Sequence, residues 1–367
     1  MNRLPTGKLP SALLRKFIDK IRTEDEQVVL GPSIGEDVAV MKFGDKLLVA
    51  KIDPVTFATD LIGWYAVNIN ANDIATMGVK PRWFLATILL PEQCTDKEAE
   101  RIFDQILSAC SSLGISLVGG HTEITYDFKR PVVVGCMLAE AESQTIITTS
   151  GAKLGDDIIV TKGIAIEGTA LLAREAEQAL LSSALSKDLV QRAANYLFSP
   201  GISVLKEALI ACSRVAVNSM HDPTEGGLST GLWEIAYAAQ VGIWVEENKI
   251  PILPECREIC DRFALNPLGL LASGSLIVTL NSSETPKLLA ALHDAGINAR
   301  IIGKVVRAEE GLKLHTKRGT QELPQFERDE LARFLDSWDS GAGKTSVAPS
   351  RKRRRDSGAP VQEEGQV

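Results

Sequence analysis

The 367-residue chain is defined first by what it lacks. No apolar run approaches the roughly 18 residues of a membrane span, and the opening Met1-Asn2-Arg3-Leu4-Pro5 has no signal-peptide core. There is no surplus of positive charge: a net charge of −7 and a pI near 5.4 argue against a nucleic-acid partner for the whole chain. The six cysteines (94, 110, 136, 212, 256 and 260) form no paired framework. Cys256 and Cys260 are four apart but have no second pair or histidine motif beside them, so reduced thiols in a cytoplasmic protein are expected. A complete phosphate-binding loop is also missing. Gly341-Ala342-Gly343-Lys344-Thr345 resembles the end of one, but Trp338 stands where the first glycine is required, and no strand or helix pattern flanks the run.

What is present is ordinary for a globular protein, at 45% hydrophobic and 24% charged residues. The length suggests two domains. Leu13, Leu14, Phe17, Ile18 and Ile21 predict an amphipathic helix within 8–22. Val38–Met41 and Leu47–Ile52 read as a hairpin about the Gly44-Asp45 turn. A helix follows over about 62–77, with Gly78 as its stop. Phe84–Leu90 reads as a strand. Thr95 and Glu98 form a capping box for a helix that Gly114 ends after Leu113, and strands follow at Ile115–Val118 and Pro131–Leu138. This order predicts an α/β or α+β arrangement with helices packed on one sheet. The Ser/Thr-rich stretch at 143–154 marks a division into residues 1–150 and 151–338. The second half alternates helices (about 167–182, 186–196, 201–211 and 224–240) with strands near 215–218, 275–280 and 301–305. Residues 339–367 read as a disordered tail, and Arg351-Lys352-Arg353-Arg354-Arg355 within it as a solvated charged run.

The chemistry is carried by short clusters. Gly35-Glu36-Asp37 precedes one strand, and Asp53 ends the next. Either aspartate alone reads as a turn residue, but strand ends are where α/β proteins gather ligands. Asn68, Asn72 and Asp73 interrupt an otherwise apolar helix, and polar groups there need partners, whether a structural network or a metal or phosphate. Gly119-Gly120-His121-Thr122-Glu123 directly follows a strand, where paired glycines let a phosphate approach the backbone. His221-Asp222-Pro223-Thr224-Glu225-Gly226-Gly227 supports two readings. Asp222 as N-cap, Pro223 as first helical residue and Glu225 closing a capping box would account for it structurally. A helix start with free amides beside Gly226 and Gly227 would equally serve an anion.

Taken together, these clusters resemble the AIR synthase-like superfamily, which includes AIR synthase, thiamine-monophosphate kinase, selenophosphate synthetase and hydrogenase expression/formation protein E. The resemblance runs from residue 30 to about 315. It is most specific at Asn72-Asp73-Ile74-Ala75-Thr76-Met77-Gly78-Val79-Lys80-Pro81 and at His221–Leu228, and is nearest in character to the hydrogenase-maturation branch. It implies an N-terminal α/β domain whose strands pair across a homodimer into a barrel, and a C-terminal α/β domain covering a cleft that takes ATP with Mg²⁺. It further implies metal ligation by Asp37, Asp53, Asp73 and Glu123, and nucleotide contacts from Gly35, Asn72, Gly119, Gly120, Thr122, Thr224, Gly226 and Gly227. His121 and Asp222 become the catalytic candidates, acting on a small-molecule or protein-bound acceptor. Three departures stand out. His121 replaces an acid, Gly35-Glu36-Asp37 replaces Gly-Asp-Asp, and the last cysteine is Cys260, so carbamoyl-carrier chemistry on a C-terminal cysteine is not expected in cis. A non-catalytic nucleotide-binding accessory protein of the same fold is the alternative.

Overall fold

The computed structural model describes residues 4, 7–9, 11–21, 24–142 and 146–339. Gly341–Thr345, the basic run at 351–355 and all of the expected tail except residue 339 lie outside the described residues.

The first half builds a six-stranded sheet. Its strands are β1 (Val28–Leu30), β2 (Ala39–Phe43), β3 (Lys46–Val55), β4 (Trp83–Pro91), β5 (Ser116–Thr125) and β6 (Val132–Ala141), in the order β1-β2-β3-β6-β4-β5. All neighbours are antiparallel except β4 and β5. Three helices belong to this half: α1 (Ser11–Ile18), α2 (Ile62–Thr76) and α3 (Asp96–Leu113). The expected hairpin is present as β2 and β3. Thr95 and Glu98 form the reciprocal capping box of α3, and Gly114 ends it in the left-handed conformation.

Strand periodicity decides what the sheet covers. Leu47, Val49, Val133, Met137, Phe84, Ile88 and Leu90 point to one face, where α2 lies against β3 and β6, and all are buried. The opposite face carries Leu48, Ala50, Leu85, Leu89, Val134, Cys136 and Leu138 only half-buried, and Ile52 is 65% exposed. Strands read as apolar throughout are thus covered on one side within a single chain.

The second half builds a seven-stranded sheet from β7 (Asp157–Thr161), β8 (Val217–His221), β9 (Gly242–Glu246), β10 (Ile277–Leu280), β11 (Ala299–Val306), β12 (Leu312–Thr316) and β13 (Gly319–Glu322). The order is β13-β12-β9-β11-β7-β10-β8, antiparallel except for β9 and β12. Its helices are α4 (Ile166–Glu175), α5 (Glu177–Ser182), α6 (Lys187–Ala194), α7 (Leu205–Arg214), α8 (Gly227–Ala239), α9 (Pro254–Phe263), α10 (Thr285–Asp294) and α11 (Glu330–Asp339). Strands β7 and β10 are buried along their whole length. Leu228, Leu232 and Ile235 of α8 pack on one side of this sheet, and Ala208, Leu288 and Leu292 of α7 and α10 on the other. The helix expected over 167–182 is split into α4 and α5, and the one expected at 201 begins at Leu205.

Asn72 ties the halves together. Its buried side chain donates from Nδ2 to the Ile202 carbonyl at 2.8 Å and accepts the Val204 N–H at 2.9 Å. Asn72→Ala strands both backbone groups away from water, at about 1–3 kcal/mol each. Urea denaturation should therefore show a loss of about 2–6 kcal/mol; a midpoint within error of the parent would refute the clamp.

Candidate metal and phosphate site

Alternation along β3 turns Lys51 and Asp53 toward α2. Asn70 of α2 fixes that register, accepting the Asp53 N–H at 2.9 Å and donating to the Asp53 carbonyl at 3.3 Å. The Lys51 ammonium then lies 3.0 Å from Asp73 Oδ2, 3.2 Å from Asp53 Oδ2 and 3.9 Å from Asp37 Oδ1. Asp37 enters from the loop ahead of β2. That loop is tethered where Glu36 accepts the N–H groups of Thr149 and Ser150. Asp222 enters from the end of β8 in the second half. One carboxylate oxygen each of Asp37, Asp73 and Asp222 lie within 4.8 Å of one another.

The electrostatics are unbalanced. Asp222 is buried, its carboxyl shares a side-chain hydrogen bond with Asp73, and among the described residues no lysine, arginine or histidine pairs with it. Burial, reinforced by the charges of Asp73 and Asp37, pushes the Asp222 carboxyl well above its usual range. Burial likewise raises Asp73 to about 7 against the opposing pull of Lys51. Burial disfavours the Lys51 charge, but the three surrounding carboxylates outweigh it and raise the ammonium. One lysine thus faces four aspartates. The set fits Mg²⁺: every donor is a hard oxygen, and opposite ligands of an octahedral ion at about 2.1 Å stand about 4.2 Å apart, close to the present spacing.

A second polar string supports the first. His221, at the end of β8, lies 3.4 Å from Asp37 Oδ2 through Nδ1 and 2.9 Å from Glu234 Oε2 through Nε2. Lys8 reaches Glu234 Oε1 at 3.3 Å, and its backbone N–H donates to Glu225 at 2.6 Å. Burial would raise Glu234, but Lys8 and His221 hold it at about 2.

The capping reading of 222–227 fails. Helix α8 starts at Gly227, its N-cap is Gly226 in the left-handed region with no side-chain cap, and Asp222 caps nothing. Nor are the loop amides free, because Gly226 N–H donates to Asp329 Oδ2 at 2.7 Å and Gly227 N–H to the Thr224 carbonyl at 3.0 Å. Thr224 serves through that carbonyl, which also accepts the Ala272 N–H. Gly35 abuts α8, where a Cβ would press on the Glu234 carbonyl. Asn72 is engaged in its clamp, and Asn68 bonds the Trp64 carbonyl.

The Gly119–Glu123 run departs most from expectation. The strand does not stop at Val118, and all five residues lie inside β5 at the exposed edge of the sheet. Gly120 is needed because a Cβ there would collide with the Ala86 carbonyl, next to a register shift between β4 and β5. His121 and Glu123 are exposed and 3.2 Å apart, and Thr122 is exposed between them. Asp53, Gly135, Ala86 and Gly120 are successive partners across β3, β6, β4 and β5. Asp53 and Gly120 are therefore three strands apart, roughly 14 Å. Within one chain His121, Thr122 and Glu123 do not join the aspartates.

The AIR synthase related protein N-terminal domain model matches residues 35–141, and the C-terminal domain model matches residues 153–315. The chain belongs to the AIR synthase related family. Among relatives, a putative hydrogenase expression/formation protein of Methanocaldococcus jannaschii is 29% identical over 323 residues, spanning 84% of this chain and 91% of that protein. Carbamoyl dehydratase HypE of Cupriavidus necator is 29% identical over 280 residues, spanning 73% and 74%. Among solved structures, the HypE-HypF complex superposes with a TM-score of 0.68 at 20% identity, covering 86% of this chain and all of that one. HypE in complex with ATP gives 0.63 at 21% identity, covering 89% and 98%. These likenesses confirm the two-domain α/β fold of the family. No described helix is long and apolar enough to cross a membrane.

Several site residues escaped the sequence reading. Lys51 carried a signal, since a lysine at an inward position of an apolar strand needs a carboxylate partner. Glu167 and Asp329 flank the 222–227 loop from α4 and from just before α11, and no local pattern marks them. Burial pushes Glu167 up to about 7, and its Oε2 has no partner among the described residues. With the folded value above the unfolded 4.5, the native state holds its proton longer, so this group removes stability as pH rises from about 4.5 to about 7. Glu167→Gln should therefore match the parent near pH 4 and exceed it by up to about 3 kcal/mol at pH 8. Equal stability at both pH values would show that Glu167 ionises normally.

Proposed function

We propose that this chain is an enzyme that uses ATP with Mg²⁺ to phosphorylate a small acceptor or to activate an amide or carbonyl oxygen. The observation that carries this reading is the convergence of Asp37 with the buried Asp73 and Asp222, in which Asp222 has no cationic partner among the described residues. Two relatives support it by their names, hydrogenase expression/formation protein and carbamoyl dehydratase, as does a structure of HypE solved with ATP. In this proposal residues 1–150 form the nucleotide-binding unit and 151–338 the covering unit.

Asp37, Asp73 and Asp222 would hold the ion with Asp53 at the rim, and the ion would neutralise phosphate charge and fix its orientation. The residues contribute by positioning, which is most of what phosphoryl transfer demands. Lys51 holds the acids together and offers an ammonium to a phosphate oxygen. His221, held between Asp37 and Glu234, keeps the Asp37 carboxylate aimed at the centre.

Asp53→Asn and Asp222→Asn should each weaken Mg²⁺-dependent ATP binding at least about tenfold in calorimetry, the loss of one charged contact of about 1.5–3 kcal/mol. Unchanged affinity in both variants would remove the site. The accessory-protein alternative predicts tight Mg-ATP binding with no acceptor-dependent ADP release across a panel of amide, carbamoyl and hydroxyl acceptors.

The second part of the proposal is a homodimer through the first sheet. Its uncovered face is apolar and continuous across β3, β6 and β4, from Ile52 through Cys136 to Leu85. A patch of this kind on a sheet is normally covered. His121 and Glu123 reach an aspartate centre only if a second chain supplies them, and that is where a catalytic role for His121 would lie. Sedimentation at micromolar concentration should give a dimer, with Ile52→Glu shifting it to monomer. A parent chain that sediments as a monomer would sink this assembly.

A further inference from the structure

A second cavity lies apart from the aspartates. It is a cleft of about 910 Å³ behind α2, where the two halves of the chain meet. Lys80 and Leu113 line it from the first half, and Lys206, Leu209 and Ile297 from the second. Residues of the 199–205 segment form part of its wall, and Asn72 grips that segment at Ile202 and Val204. Asn72 is the immediate neighbour of Asp73, so the cleft and the aspartate centre are reached from adjacent positions of one helix. Asp37, Asp53, Asp73 and Asp222 are all absent from the lining.

The charge of this cleft is not balanced from within. Glu207 is paired with Lys162 at 2.8 Å, and the same ammonium also donates to the carbonyls of Gly201 and Ser203 at 3.0 and 2.7 Å. Glu255 accepts from Arg192 Nε at 2.6 Å and from the Tyr196 hydroxyl. Both carboxylates of the lining are therefore already engaged. Lys80 and Lys206 are exposed, and among the described residues neither has a carboxylate within 4 Å. Among the described residues the Lys206 ammonium donates only to the Ala295 carbonyl, at 2.8 Å. The remainder of the lining is largely aliphatic. A space of this size falls within the roughly 300–1,000 Å³ of small-molecule sites.

We propose that this cleft binds a small organic anion, with its phosphate, sulfonate or carboxylate head between Lys80 and Lys206 and its apolar body against Leu113, Leu209 and Ile297. The proposal is independent of the nucleotide reading, because the two sites share no residue. Charge-assisted hydrogen bonds from two ammonium groups would supply the head-group affinity, and the aliphatic wall would favour an organic ligand over a bare inorganic ion.

The test uses 8-anilinonaphthalene-1-sulfonate as the organic anion and inorganic pyrophosphate as a bare head group, both with EDTA present so that no metal bridges pyrophosphate to the aspartates. Fluorescence titration of the full chain should give saturable dye binding that pyrophosphate displaces. In the Lys80→Gln/Lys206→Gln double variant the dye affinity should fall at least about tenfold, the loss of charged contacts of about 1.5–3 kcal/mol each. Both lysines are exposed, so the double variant should keep the parent's melting temperature, and Asp53→Asn should bind the dye as the parent does. Undiminished dye binding in the double variant would place the dye elsewhere, for instance on the uncovered sheet face, and overturn the proposal. So would a loss confined to Asp53→Asn, or the absence of saturable binding by either probe.

Discussion

Burying carboxylates around one ammonium group is the constraint on which the rest of the molecule depends. Asp73 and Asp222 are almost wholly removed from water, and removing a charged carboxylate costs several kcal/mol unless it is paired. Lys51 can satisfy part of that demand and not all of it. The carboxylates respond as physics requires, by holding protons more tightly than free aspartates do. In the proposed function a small, hard, divalent cation would remove the like-charge repulsion and the burial penalty together.

Holding that arrangement requires rigid surroundings, and the chain supplies them mainly with side-chain to backbone hydrogen bonds. Asn70 locks β3 to α2 at the level of Asp53. Asn72, two residues later and on another side of the same helix, locks α2 to the segment ahead of α7. Glu36 binds the loop bearing Asp37 to residues 149–150, where the chain passes into its second half. Each bond is worth about 1 kcal/mol net, but each acts across a long sequence separation. The four aspartates come from four places in the chain, the loop ahead of β2, β3, α2 and the end of β8, and these bonds help to hold those places together.

Local chemistry made much of this legible in advance. The β2–β3 hairpin, the extent of α2 and both ends of α3 follow from turn residues, apolar periodicity and a capping box. Asp73 was visible because a carboxylate in an apolar helix breaks a local rule, and the acids at 37, 53 and 222, each explicable alone as a turn or cap residue, stood out because they recur at strand ends. What stayed hidden depends on distant partners. Lys51 makes sense only once Asp73 is known to face it, and Asn70 only once it meets the backbone of Asp53. Glu167 and Asp329 come from opposite ends of the second half. The α9 helix was not among the expected helices, although Pro254 opens it and Cys256, Ile259 and Cys260 mark its buried side. Gly119-Gly120 misled because a glycine pair after a strand signals a turn by default. Here the strand continues, and Gly120 is required by the close approach of Ala86 in its neighbour.

The loop at 222–227 shows why a good local explanation can still be the wrong one. Aspartate, proline and a later glutamate compose a plausible helix start, and a capping bond would have satisfied Asp222. Gly226 and Gly227, both at positive φ, delay the helix instead. That delay leaves the Asp222 carboxylate facing Asp37 and Asp73, while Asp329 takes the Gly226 amide that a bound anion would otherwise claim. The loop is thereby stabilised by a carboxylate from the far end of the described chain, and its own acid is left without a cationic partner among the described residues. Forgoing an N-cap costs about 1 kcal/mol, and burying an unpaired carboxylate costs more. A fold that accepts both at one position gives up local satisfaction of Asp222 in order to bring it to Asp37 and Asp73.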